Sequence, residues 1–188
     1  MMASVASSPS YDAARDRLEV YFDRTAVEQW KALTCDAQVS RIRATVRAGR
    51  DRMRELLLGW LPADMRGLKL LDAGCGTGAL AVEAAARGAG LGKFDHVVAM
   101  DSLIHYRAAD MITAVEALRE RTSGSVLFTF APSTPLLETM HVVGKAFPRS
   151  DRSPAIVPVR EVVLRKALGG ARTERVSAGF YTSQALEV

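Results

Sequence analysis

Leu70-Leu71-Asp72-Ala73-Gly74-Cys75-Gly76-Thr77-Gly78 is the stretch that decides the fold. A short apolar strand runs into a glycine-rich loop, and an alanine-rich helical pattern over 78–87 follows at once. Gly74, Gly76 and Gly78 let the backbone turn sharply and approach a ligand closely, because no Cβ stands in the way. A helix that starts after such a loop points its unpaired N–H groups at whatever sits over it. A GxGxG loop alone fits any nucleotide-type cofactor, and a tight turn with no ligand is the plainer reading. The plainer reading is disfavoured because glycines this dense weaken both strand and helix unless a close approach requires them.

Working outward, 11–61 reads as helical, with Leu18, Tyr21, Phe22, Trp30 and Leu33 as an apolar stripe. Pro62 closes that region and Gly67 precedes a first strand over 68–73. The helix over 78–87 ends at Gly88. A second strand covers 94–101, with Val97 to Met100 as its buried run. A helix follows over 108–121, with Met111, Ile112, Val115 and Leu118 facing inward, and then a third strand over 125–130. Five prolines make 131–158 loop-rich, with one short helix near 136–143. A helix over 159–168 leads to a terminal antiparallel pair, 172–176 and 179–186. Strands alternating with helices predict an α/β fold whose mostly parallel sheet is covered by helices on both faces.

The 188 residues suit one domain. No apolar run nears the ~20 residues that span a bilayer. Residues 1–10 are small and polar with no apolar h-region, which predicts a disordered tail rather than a signal peptide. Cys35 and Cys75 form no CxxC pattern and read as reduced thiols of a cytoplasmic protein. His96, His105 and His141 lack metal-ligand spacing, so no protein-bound metal is expected.

The net charge of +4 is uneven. Arg41, Arg43, Arg47, Arg50, Arg52 and Arg54 fall within fourteen residues, interleaved with Ile42, Val46, Met53, Leu57 and Trp60. This is an amphipathic helix with a basic face. The face is either simply solvated or a surface for anions such as carboxylates, acidic lipids or an acidic partner. No stacking aromatics accompany the basic residues, so nucleic acid is not expected.

LDAGCGTG, with Asp72 before the first glycine, resembles motif I of class I S-adenosylmethionine-dependent methyltransferases. Further stretches match a narrower pattern: Tyr21-Phe22-Asp23-Arg24-Thr25-Ala26-Val27-Glu28-Gln29-Trp30, the run from Phe94 through Asp101-Ser102-Leu103-Ile104-His105-Tyr106, Leu127-Phe128-Thr129-Phe130-Ala131-Pro132, and Gly179-Phe180-Tyr181-Thr182-Ser183. Together they resemble the magnesium-protoporphyrin IX O-methyltransferases of bacteriochlorophyll biosynthesis, from about Tyr11 to Val188. The resemblance implies a Rossmann-like domain over 66–188 with an antiparallel C-terminal strand, and an N-terminal helical lid over 11–62. It implies methyl transfer from S-adenosylmethionine to a propionate of magnesium-protoporphyrin IX, giving the monomethyl ester. It also implies contact with the porphyrin-binding subunit of magnesium chelatase and peripheral association with photosynthetic membranes.

The chemistry suits a sequence with no catalytic dyad. A propionate resembles a Glu side chain, with a pKa of about 4.3, and is already ionised at neutral pH. The protein must align the reacting atoms and exclude water rather than supply a strong base. Asp72 ends the first strand, where open α/β sheets bind ligands. It is expected to brace the loop and attract the cofactor's ammonium group. Gly74, Cys75, Gly76, Thr77 and Gly78 would cradle the methionyl part, with Thr77 as a helix cap. Asp101, Ser102 and Leu103 would lie near the methionine portion and methyl group. His105 is the expected catalytic residue, orienting the substrate carboxylate or approaching the porphyrin magnesium as a neutral imidazole. A His satisfied by a turn carbonyl is the plainer reading. Tyr21, Trp30 and His141 are expected at the flat macrocycle, with core packing as the alternative for the two aromatics.

One part is missing from the pattern. In a Rossmann-like methyltransferase an acidic residue about 20 residues past the loop grips the ribose, at the end of strand two. That interval lands near Asp95, which precedes its strand's apolar run and sits at the wrong end. Gly88-Ala89-Gly90-Leu91-Gly92 is too short for the expected strand, helix and further strand, a unit of about 30 residues. Either the chain lacks this unit between 90 and 91, which would cripple cofactor binding, or the sequence as written skips a mobile segment. Two alternatives to the porphyrin enzyme follow: a methyltransferase for another small molecule, or a non-catalytic tetrapyrrole-binding scaffold. Binding of S-adenosylmethionine separates the scaffold from both enzymes.

Overall fold

A computed structural model of the chain describes residues 41–74, 94–133 and 155–188. The expected tail, the earlier part of the lid, the helix over 78–87, the short helix near 136–143 and the junction at 90–91 lie outside the described residues.

The basic amphipathic stretch forms helix α1 (Arg41–Trp60). Met53 and Leu57 are fully buried, and Val46 and Trp60 pack beside them at the same helical spacing. Strand β1 (Leu70–Asp72) carries the start of the glycine stretch. Strand β2 (His96–Ala99), helix α2 (Ala108–Arg119), strand β3 (Val126–Phe130) and helix α3 (Glu161–Leu168) follow. The chain then makes the hairpin of β4 (Arg172–Ala178) and β5 (Tyr181–Glu187).

These strands form one sheet in the order β1-β2-β3-β5-β4. β1 pairs parallel with β2, and β2 parallel with β3. β5 inserts antiparallel between β3 and β4. The described sheet is therefore mixed, where a mostly parallel one was expected. Every expected element that falls on described residues forms, with ends shifted by a few residues.

The period-2 alternation of side chains sorts the core into two layers. Val98, Leu127, Val176, Tyr181 and Ala185 face α1 and pack on Met53, Leu57 and Leu58. Val97, Ala99, Val126, Phe128, Phe130 and Leu186 face the other way, onto Met111 and Val115 of α2 and Leu164 and Leu168 of α3. Each fully buried aliphatic or Phe side chain is worth about 1.5–3 kcal/mol of transfer free energy. Of the four α2 residues expected inside, Met111 and Val115 are fully buried, while Ile112 and Leu118 are half-buried at the layer's margin. Among the described residues no helix is long and apolar enough to cross a membrane.

Candidate active site

The parallel strands β1 and β2 end side by side, with Asp72 opposite Val98 in the register. The chain leaves both strands at the same edge of the sheet. Ala73 N–H still donates to the Val98 carbonyl at 2.7 Å, and Gly74 then turns with φ +83°. A Cβ at Gly74 would overlap the Ser102 side chain. Glycine is required here because the loop after β1 lies directly against the residue that follows Asp101. Ser102 Oγ is buried and has no hydrogen-bond partner among the described residues. A buried hydroxyl without a partner costs about 1–3 kcal/mol.

Asp101 is the densest node of this edge. Its φ is +54°, the one positive φ at a non-glycine position among the described residues. Continued alternation after Val97 and Ala99 would send its side chain toward α2. The left-handed backbone turns it to the α1 side instead, where its carboxylate is 6% exposed. Thr129 Oγ1 accepts from Asp101 N–H at 2.7 Å and donates to Asp101 Oδ1 at 3.2 Å, so one hydroxyl holds both groups. Tyr181 OH donates to the same carboxylate, 3.1 Å from Oδ1 and 3.3 Å from Oδ2. Ser183 Oγ lies 3.5 Å from Oδ1, and Arg50 Nε of α1 lies 3.7 Å from Oδ2.

The sheet pattern brings these partners together. Tyr181 and Ser183 are two apart on β5 and share its α1 face with Ala185. Thr129 shares the α1 face of β3 with Leu127 and stands opposite Ala185. Gly49 of α1 lets the Tyr181 ring pack against the helix backbone, since a Cβ there would run into the ring. Burial first, and then the Asp101 carboxylate, push the Tyr181 phenol far above its ordinary pKa, so it stays a donor.

The turn after Asp101 is tied down at both sides. Leu103 and Tyr106 are buried in the layer that holds α2 and α3, and Tyr106 N–H donates to the Leu103 carbonyl at 3.1 Å. Val157 N–H donates to the Ile104 carbonyl at 2.8 Å, and His105 Nδ1 lies 3.2 Å from the Ala155 carbonyl. A carbonyl oxygen can only accept, so Nδ1 carries a proton and Nε2 is the acceptor nitrogen of the neutral ring. Burial pushes the His105 pKa below 6.5, against the raising effects of the Ala155 carbonyl and the Asp101 charge.

The expected residues divide accordingly. Asp72, Gly74, Asp101, Ser102, Leu103 and His105 gather at the carboxyl ends of β1 and β2. Asp101 is enclosed by protein donors, and the Leu103 side chain belongs to the core. Cys75, Gly76, Thr77, Gly78, Tyr21, Trp30 and His141 lie outside the described residues. His96 bonds Ser125 Oγ through Nδ1 at 2.9 Å, at the other end of β2. Asp95, also at that end, accepts from Lys69 N–H and Ser123 Oγ, which hold its carboxyl below the usual range. The grouping of Arg50, Thr129, Tyr181 and Ser183 around Asp101 escaped the sequence reading. Its one signal was the pair of hydroxyl-bearing residues Tyr181 and Ser183, two apart on the C-terminal strand.

Gly74 against a buried hydroxyl, at the carboxyl edge of a sheet with parallel β1, β2 and β3, fits a class I S-adenosylmethionine-dependent methyltransferase, and the relatives of the chain place it in that class. The solved magnesium protoporphyrin IX methyltransferase (ChlM) from Synechocystis PCC 6803 with bound SAH superposes with a TM-score of 0.81 at 26% identity, covering 92% of this chain and 98% of that one. The chain belongs to the magnesium-protoporphyrin O-methyltransferase family: it is 41% identical to the Rhodobacter capsulatus protein of that name, over 94% of this chain and 97% of the relative. It is also 27% identical to the Synechocystis magnesium-protoporphyrin O-methyltransferase, over 89% and 92% of the two chains. The family described as magnesium-protoporphyrin IX methyltransferase C-terminus matches residues 99–188. The alignment to the Rhodobacter relative extends over 217 positions against 188 residues here, so part of that relative has no counterpart in this chain.

Proposed function

We propose that this protein transfers a methyl group from S-adenosylmethionine to a propionate carboxylate of magnesium-protoporphyrin IX, giving the monomethyl ester. The observation that carries the reading is the juxtaposition of Gly74 and Ser102 at the carboxyl ends of β1 and β2, within a family of that activity. The residues there fit the cofactor. Gly74 gives close backbone approach, Ser102 offers a buried hydroxyl with no partner among the described residues, and Asp72 supplies a carboxylate suited to an ammonium group. Cys75, Gly76, Thr77 and Gly78 complete the cradle in this reading. When bound, S-adenosylmethionine supplies an electrophilic methyl on a sulfonium centre.

The chain's own part is placement and exclusion of water. The ionised propionate needs no strong base, so the turn 101–106 must hold it in line. His105, neutral with a proton on Nδ1, presents Nε2 as an acceptor. That nitrogen suits the porphyrin magnesium, whereas orienting the ionised carboxylate by a hydrogen bond requires the ring to carry a second proton, on Nε2. Tyr21, Trp30 and His141 would flank the macrocycle from the lid and the proline-flanked segment.

The length difference from the Rhodobacter relative supports a unit missing between 90 and 91. Cytoplasmic location, peripheral association with photosynthetic membranes and contact with the chelatase's porphyrin-binding subunit are part of this proposal.

The test is a methyl-transfer assay with S-adenosylmethionine and magnesium-protoporphyrin IX. Ester formation is expected. Cofactor binding without ester would point to another small-molecule acceptor. No cofactor binding would leave the scaffold reading.

A further inference from the structure

Tyr181 lies in the last described strand, 80 residues beyond the carboxylate it bonds. Its ring is clamped on α1 at Gly49, and its hydroxyl points at Asp101. The Asp101 backbone is left-handed, which costs an L-residue about 1–3 kcal/mol and persists only where the surroundings over-determine it. Here they do: Thr129 holds the N–H and the carboxylate, while Tyr181, Ser183 and Arg50 crowd the same two oxygens. The very next residue is Ser102, against the glycine loop, and three residues later comes His105.

We propose that Tyr181 is a positioning residue for methyl transfer: by bonding Asp101 it fixes the turn 101–106, and so sets where Ser102 and His105 meet the reacting groups. The proposal rests on the methyl-transfer reading above. It assigns no chemical step to Tyr181. Arg50 makes α1 a second party to the same node. The lid's root, the C-terminal hairpin and the turn thereby share one carboxylate.

Tyr181→Phe keeps the ring on Gly49 and removes only the hydroxyl. We expect kcat to fall about tenfold, as for a catalytic group displaced by a fraction of an ångström, with KM for S-adenosylmethionine changed less than about twofold. Asp101→Asn keeps a residue that tolerates the left-handed region. Combining it with Tyr181→Phe is expected to cost little more than Asp101→Asn alone, because both act through one contact. Independent, multiplying effects would overturn the proposal. So would a Tyr181→Phe protein that melts lower yet turns over normally. Nuclear magnetic resonance of the His105 ring gives a readout without turnover: its signals should move in Tyr181→Phe. Unmoved signals would overturn the proposal even if the wild-type protein made no ester, an outcome that would separately defeat the substrate reading.

Discussion

Gly74 and Ser102 are in contact where the carboxyl ends of β1 and β2 meet, so closely that no side chain fits on Gly74. The contact joins the glycine loop to the turn that carries His105. Substituting Gly74→Ala adds two penalties, a strained φ near +83° and an overlap with Ser102. Together these amount to about 3 kcal/mol. A fall in Tm of roughly 10 °C is expected for a domain of this size. Titration calorimetry should show S-adenosylmethionine affinity falling with it. Unchanged affinity would mean that the loop does not need this approach.

Ser102→Ala should separate stability from binding. Removing a buried hydroxyl without a partner is expected to raise stability without ligand by about 1 kcal/mol. Loss of its hydrogen bond to a ligand should weaken S-adenosylmethionine binding about five- to tenfold. Thermal melts with and without cofactor check both halves. A variant that is stabilised but binds as well as wild type would show that the hydroxyl meets no ligand.

His105 gives a pH dependence with a definite sign. Its folded pKa lies below the unfolded value of about 6.5, chiefly through burial. Between those two values the unfolded chain binds more protons than the folded one. Stability is therefore full above about pH 6.5 and declines as the pH falls toward the folded pKa. His105→Gln, which has no titrating ring, should flatten that part of the curve in denaturant melts at graded pH. An unaltered slope would assign the decline to other groups.

Much of the fold was legible. The strands at Leu70–Asp72 and His96–Ala99 announce themselves as apolar runs, and α1 by its helical spacing of Met53 and Leu57. The site was legible where it is local in sequence: Gly74, Asp101, Ser102 and His105 lie just past strand ends. The Asp101 node was not. Its partners at 50, 129, 181 and 183 are brought in by register and by a left-handed backbone, and no local pattern encodes either. The Leu103 side chain anchors the turn in the core, a role that its apolar character alone does not distinguish from a place beside the cofactor.

β5 is the last described strand to be made, yet it lies between β3 and β4. A chain emerging from the ribosome from its N-terminal end displays β3 with a bare edge until β5 arrives. Until then Asp101 also lacks Tyr181 and Ser183, so the turn that serves the site is held by fewer donors. The protein would thus reach a working site only when its sheet is sealed, and a shortened or stalled chain would expose a sticky edge rather than a crippled enzyme.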